Sequence, residues 1–189
     1  MSSNRPTEKV NKSAGRSRLP FRFVRDRRGS TAVEFGLLAL PFSLFLFAIL
    51  ESCISFAAQQ VLSNATYDIA RQVRTGELRA ADLDETKLHD LICSRLEVIV
   101  TSGCPGLKLD LRPINSFEEA AQLGGQWDAN NSEFVDNPTF APGGTLSINV
   151  LRAFYRWPII TTMLIDPMAN LPNGNMLLFS MAAWQNEPF

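Results

Sequence analysis

The sequence predicts an α+β protein in which a long N-terminal transmembrane helix continues into a small domain with a second helix and about three antiparallel strands. Three observations predict it: an uninterrupted apolar run over residues 35–50, a helix-period apolar stripe just after it, and strand-like alternation beginning at Leu107. A chain of 189 residues holds one ordinary globular domain and an anchor, and little else.

Charge is divided unevenly. Residues 1–28 hold nine Lys/Arg against Glu8 and Asp26, about +7, so the net charge of -1 leaves about -8 for the rest. Residues 1–20 are polar, basic and without apolar period, and are expected to be disordered. Arg22, Arg25, Arg27 and Arg28 then stand directly before the apolar run. By the positive-inside rule this places the leader in the cytoplasm and the C-terminal domain on the far, periplasmic side of the bilayer.

The run FGLLALPFSLFLFAIL has sixteen residues, which reach roughly 24 Å as a helix against a hydrocarbon layer of roughly 30 Å. The span therefore recruits Ala32, Val33 and residues 54–58, and then contains both Glu34 and Glu51. Two other readings compete. A buried core helix would not need arginines at its edge, and a cleaved secretory signal would need a small-x-small exit site, where this chain has Glu51-Ser52-Cys53. Pro41 is expected to kink the helix or loosen the turn near Leu37.

Beyond the span, Ala58, Leu62, Ala65, Ile69 and Val73 recur at helical spacing, with Gly76 as the stop. Residues 83–100 read as a second helix capped by Asp84. Leu107, Leu109 and Leu111 alternate with Lys108, Asp110 and Arg112, a half-buried strand with a polar outer face. Ser116 and Glu119 have capping-box spacing and open a short helix over residues 116–123. Residues 124–143 are a long connection rich in Gly, Asn, Asp and Pro, either a surface loop or a binding element. Residues 145–157 and 175–184 read as strands, the first with Leu146, Ile148 and Val150 on one face, joined by a connection containing Pro and Gly. The domains are then 1–29, a leader; 30–76, a transmembrane and amphipathic helix; and 77–189, a periplasmic α+β domain packed on one core.

Function classes fall away in turn. His89, the single histidine, lies in a charged stretch and reads as part of a solvated helix face. Asp128, Glu133 and Asp136 lack calcium-loop spacing, Gly124-Gly125 and Gly143-Gly144 read as turns, and no nucleophile and base constellation is evident; no catalytic residue, metal or cofactor is expected. Basic residues confined to the leader argue against nucleic acid. Trp127, Trp157, Trp184, Phe134, Phe140, Phe154 and Phe179 read as core aromatics. Cys53, Cys93 and Cys104 match no zinc pattern. Outside the cytosol, the short segment between Cys93 and Cys104 suits a disulfide, leaving Cys53 as a small lipid-facing or bundle-facing residue.

The most informative stretch is RRGSTAVEF, from Arg27 to Phe35. A carboxylate at the edge of a membrane helix asks for a partner. Cleavage between Gly29 and Ser30 would supply one, since the new amine of Ser30 lies one turn from Glu34. The leader, Gly29 and the Glu34-Phe35 pair, followed by Pro41, Glu51 and AAQQVLSNATYDIARQVRTG, resemble the TadE-like proteins of the tight-adherence, or Flp, type IV pilus machinery. The terminal WQNEPF also looks like the tail of alphaproteobacterial members. The resemblance implies a minor pseudopilin or assembly factor, a substrate of the prepilin peptidase rather than an enzyme, with other pilus and tight-adherence subunits and the lipid bilayer as partners. No small-molecule substrate is expected. An anchored periplasmic binding or scaffold protein unrelated to pili is the alternative.

Overall fold

The protein is described by a computed structural model covering residues 29–124, 127–128, 133–134, 138–171 and 174–188. The basic leader through residue 28, with Asp136 and the side chains of Trp127, Glu133 and Phe134, lies outside the description. The chain divides into two units, residues 1–44 and residues 45–189. In the first, helix α1 (Ser30–Arg74) begins and continues through Pro41, and Val33, Phe35, Leu37, Leu38, Leu40 and Phe42 are exposed. At Pro41 the helix forgoes the one bond that a proline cannot donate, without ending there.

In the second unit α1 changes character. Phe45, Phe47, Leu50, Ile54 and Phe56 are exposed, whereas Ser55, Ala58, Leu62, Ala65, Thr66, Ile69, Ala70 and Val73 are buried. These include all five residues of the predicted stripe. The helix ends at Arg74, and Gly76 takes a left-handed φ of 74° as the chain turns away.

A single 3-10 turn (Ala80–Asp82) leads to α2 (Glu85–Leu96), where the Asp84 carboxylate accepts from the Lys87 N–H at 2.7 Å. This helix is shorter than expected at its C-terminal end. The N–H groups of Ile99 and Val100 both turn back to the Leu96 carbonyl, leaving Val98 exposed. After β1 (Leu107–Ile114) comes α3 (Phe117–Leu123), capped by Ser116, whose Oγ accepts from the Glu119 N–H; the Glu119 carboxylate reaches back to the Asn115 N–H. Within the long connection lie two two-residue strands, β2 (Trp127–Asp128) and β3 (Glu133–Phe134), paired antiparallel. Strands β4 (Ile148–Pro158) and β5 (Asn175–Gln185) complete the main sheet. Between them stands α4 (Thr162–Met168), which the sequence reading took for plain connection.

The sheet is antiparallel in the order β1-β4-β5. On its free side β1 is covered by residues 139–141: Leu111 donates to the Thr139 carbonyl and Ala141 donates to the Leu111 carbonyl. On the other side, the Gln59 amide of α1 donates to the Phe179 carbonyl at 2.8 Å and accepts from its N–H at 3.2 Å, so one side chain occupies a pair of edge groups on β5. One sheet face (Leu107, Leu111, Leu151, Ala153, Tyr155, Trp157, Leu178, Ala182) joins the buried residues of α1 and α2 in the main core. Trp157 and Trp184 belong to it, and Phe140 packs against it. Phe154 and Phe179 stack across strands on the opposite face, their rings 4.8 Å apart.

That opposite face corrects the expectation of a polar outer surface on β1. Asp110 and Arg152, cross-strand partners, are each fully buried, and the Arg152 Nε donates to Asp110 Oδ2 at 2.9 Å. Arg112 also donates to both Asp110 oxygens, the Thr139 N–H donates to Oδ1, and Arg152 donates further to the Leu123 carbonyl. A second correction falls at β4. Leu146 does not extend the strand; it lies exposed in a turn with φ 61°, and the strand begins at Ile148.

That turn is tied to the end of the chain. The Asn186 amide donates to the Gly143 and Gly144 carbonyls, its N–H donates to the Ser147 carbonyl, and its Oδ1 accepts from Trp184 Nε1. The Glu187 N–H donates to the Arg74 carbonyl, one of the orphan acceptors at the end of α1. Gly143 donates to the buried Asn149 side chain, and a Cβ here would collide with Ser147 Oγ and Asn149 Oδ1.

Two outcomes are expected in denaturant titrations of the detergent-solubilised protein. Asp110→Ala, which strands a buried guanidinium, should cost about 3–5 kcal/mol, while Asp110→Leu combined with Arg152→Met should recover most of it. Gly143→Ala should cost about 1–3 kcal/mol by overpacking. Equal losses for the Asp110 single and double variants would show that the charge pairing does not set the cost.

Candidate functional site

At the start of α1 the Ser30 hydroxyl donates to the Glu34 carboxylate at 3.0 Å, one helical turn along. Glu34 and Phe35 are both exposed. A Cβ added to Gly29 would meet no atom within 4 Å, so packing within the described chain does not require a glycine there. The same holds at Gly36. Of the sequence-predicted junction residues, Ser30, Glu34 and Phe35 thus lie in the first turns of α1 with exposed side chains, and Gly29 directly precedes them.

Helix α1 as a whole is the one described helix long and apolar enough to cross a membrane, and its most apolar window is almost wholly unburied within the protein. Bulky apolar side chains without partners on a helix of this length need a nonaqueous surround. Cys53, on the same helix, is exposed.

Glu51 was read from sequence as a second costly carboxylate in the span. It accepts from the backbone N–H groups of Ile160 and Thr161, the latter at 2.8 Å. Those donors come from the β4–β5 connection, more than a hundred residues away, and nothing local to Glu51 marks them. Gln59 was also overlooked as an edge cap, and Arg152 as the partner of Asp110. An arginine inside the apolar strand sequence Val150-Leu151-Arg152-Ala153 was the available signal for the last.

Cys93 on α2 and Cys104 just before β1 are joined as a disulfide, with Cα atoms 5.7 Å apart. The loop they close is braced by Glu97, whose carboxylate accepts from the Gly103 N–H and the Ser102 hydroxyl, each at 2.9 Å. Gly103 holds a left-handed φ of 79° in this turn. The bond from the Gly103 N–H, then that from Ser102, holds the Glu97 carboxyl below its usual range. His89 is half-buried on α2, beside Asp90. Among the described residues no three His, Cys, Asp or Glu side chains gather as a metal site would require.

A helix long and apolar enough to cross a membrane, followed by a small α+β domain, is the architecture of a membrane-anchored protein. Residues 29–71 match the family model of TadE-like proteins. The match opens at Gly29, takes in Glu34, Phe35, Pro41, Glu51 and Gln59, and ends within α1. The match likens this segment, about a quarter of the chain, to TadE-like proteins. No curated protein and no solved structure gives a significant match to the chain.

The brace at Glu97 has a pH signature. Its carboxyl titrates lower in the folded state than the ordinary value of 4.5, so its contribution is present above that pH and is lost as pH falls through the lowered folded value. The stability gap between the wild type and Glu97→Gln, measured by thermal unfolding, should therefore be open at about pH 6 and narrow in acid. A gap independent of pH would show that the ionised form of Glu97 has no special role.

Proposed function

We propose that the chain is a minor pilin-like subunit or assembly factor of a tight-adherence Flp pilus, held in the bacterial inner membrane by α1. Its leader would face the cytoplasm and its disulfide-containing domain the periplasm. The observation that carries the reading is the TadE-like match opening at Gly29, directly before a helix whose apolar side chains are exposed among the described residues. The positive flank supports the orientation, and the Cys93–Cys104 bridge suits an oxidising compartment.

In this reading a prepilin peptidase hydrolyses the peptide bond between Gly29 and Ser30. A small, backbone-permissive residue at 29 suits an extended chain passing through a narrow protease cleft at the membrane face. The liberated amine of Ser30 then lies one turn from Glu34, whose carboxylate the Ser30 hydroxyl already reaches. Glu34 pairs with that amine, or with the amine of a neighbouring subunit, as helices dock in a low-dielectric bundle where an unpaired ammonium would cost several kcal/mol. Partners are accordingly other pilus and assembly subunits, the peptidase and lipid.

The test uses a strain lacking the native gene. N-terminal sequencing of the wild-type membrane protein should begin at Ser30, and Gly29→Val should retain its leader. Glu34→Gln should be cleaved and reach normal membrane abundance, yet lose surface piliation. Wild-type processing of Gly29→Val, or wild-type piliation with Glu34→Gln, would count against the mechanism.

A further inference from the structure

The β4–β5 connection is tied to α1 at a particular level of the helix. Glu51 accepts from the N–H groups of Ile160 and Thr161, and the Met168 sulfur lies 3.7 Å from the Ser52 hydroxyl, which donates to the Ala48 carbonyl, so residues 160–168 are bonded at one end and in contact at the other with two adjacent residues of α1. Around this attachment the helix is lined with exposed apolar side chains. Phe47 and Leu50 precede it, and Ile54 and Phe56 follow. Phe56, 66% exposed, lies five residues beyond Glu51, roughly 7.5 Å further from the centre of the apolar run. The connection is therefore fastened inside the stretch of helix whose side chains need lipid, not beyond it.

Its own composition agrees. From Trp157 to Leu171 the sequence WPIITTMLIDPMANL contains one charged residue, Asp166, and no Lys or Arg. Ile160 is 85% exposed, and Leu164, Ile165 and Met168 are each only partly covered. A large aliphatic side chain so exposed beside a lipid-facing helix is continuous with that helix's apolar surface. The attachment also resolves the cost of Glu51, because two backbone donors accompany the carboxylate.

We propose that residues 159–168 form a second membrane contact: an interfacial element that lies against the bilayer beside α1, inserting Ile160 among the acyl chains and holding the domain at a set height and rotation. This rests on the reading of α1 as a membrane span.

The test uses the full chain in vesicles of phosphatidylcholine and phosphatidylglycerol, in a Cys53→Ser background. Single cysteines are placed by Ile160→Cys, by Phe42→Cys as the span reference and by Val98→Cys, 84% exposed, as the water reference. All three are exposed positions, so folding is not at stake. Position 160 should react with a charged maleimide about tenfold more slowly than position 98, and a fluorophore there should be quenched by nitroxide-bearing lipids, as at position 42. Fast reaction and no quenching at 160, with quenching at 42, would overturn the proposal while leaving the span intact. No quenching at 42 would remove the span and the proposal together. Protection at 160 without lipid quenching, relieved by diluting protein in lipid, would assign the surface to a second copy of the chain and reject the lipid contact.

Discussion

Helix α1 carries large apolar side chains on its exposed surface as far as Phe56, and from Ser55 onward small or medium ones on the side that meets the sheet. Ser55, Ala58, Ala65, Thr66 and Ala70 leave room for strand side chains to approach the helix closely, while Leu62, Ile69 and Val73 fill the spaces between. The rest of the domain depends on this helix-to-sheet contact. Strand β5 can lie near enough for Gln59 to reach its backbone, and α2 completes the same core through Leu88, Ile92 and Leu96. Helix propensity alone would not position these elements; the apolar contact does.

Strand β4 is buried on both faces for most of its length, which is unusual for an antiparallel sheet with one helical layer. On the second face α3 packs against Ile114 and Val150, residues 139–141 run along the edge of β1, and the Asp110 cluster is bonded to both segments. An aliphatic pair in its place would serve stability as well, since buried ion pairs roughly break even against apolar substitutes. What the cluster adds is direction. Asp110 accepts from Thr139 and Arg152 donates to Leu123, so one ionic pair ties the β1 edge segment and the end of α3 to the same point on the sheet.

Much of the fold was legible because its signals are local. The stripe from Ala58 to Val73, the caps at Asp84 and Ser116, the alternation at Leu107 to Leu111 and the extent of β5 all follow from spacings within one element. Errors gathered where a residue's role is decided by distant chain. Asp110 looked solvent-facing because its partner is forty-two positions away. Leu146 continued the apolar alternation of β4, but Asn186 and the Gly143-Gly144 carbonyls bind the neighbouring loop into a turn. Helix α4 is short and carries Pro167 in its last turn, which hides it from any period-based reading. At the junction, the residue types and their spacing were legible, and the structure adds that the Ser30 hydroxyl bonds to the Glu34 carboxylate.

The closing contacts of the domain are far apart in the chain. Gln59 meets Phe179 across 120 residues, and the Arg74 carbonyl waits for the Glu187 N–H. A chain synthesised N-terminus first therefore completes α1 long before the strand that covers it, and such non-local pairing closes slowly. During that interval the buried stripe of α1 and the unpaired edges of β1 and β4 are open to wrong partners. The vectorial order of synthesis thus becomes part of how the domain reaches its native pairing.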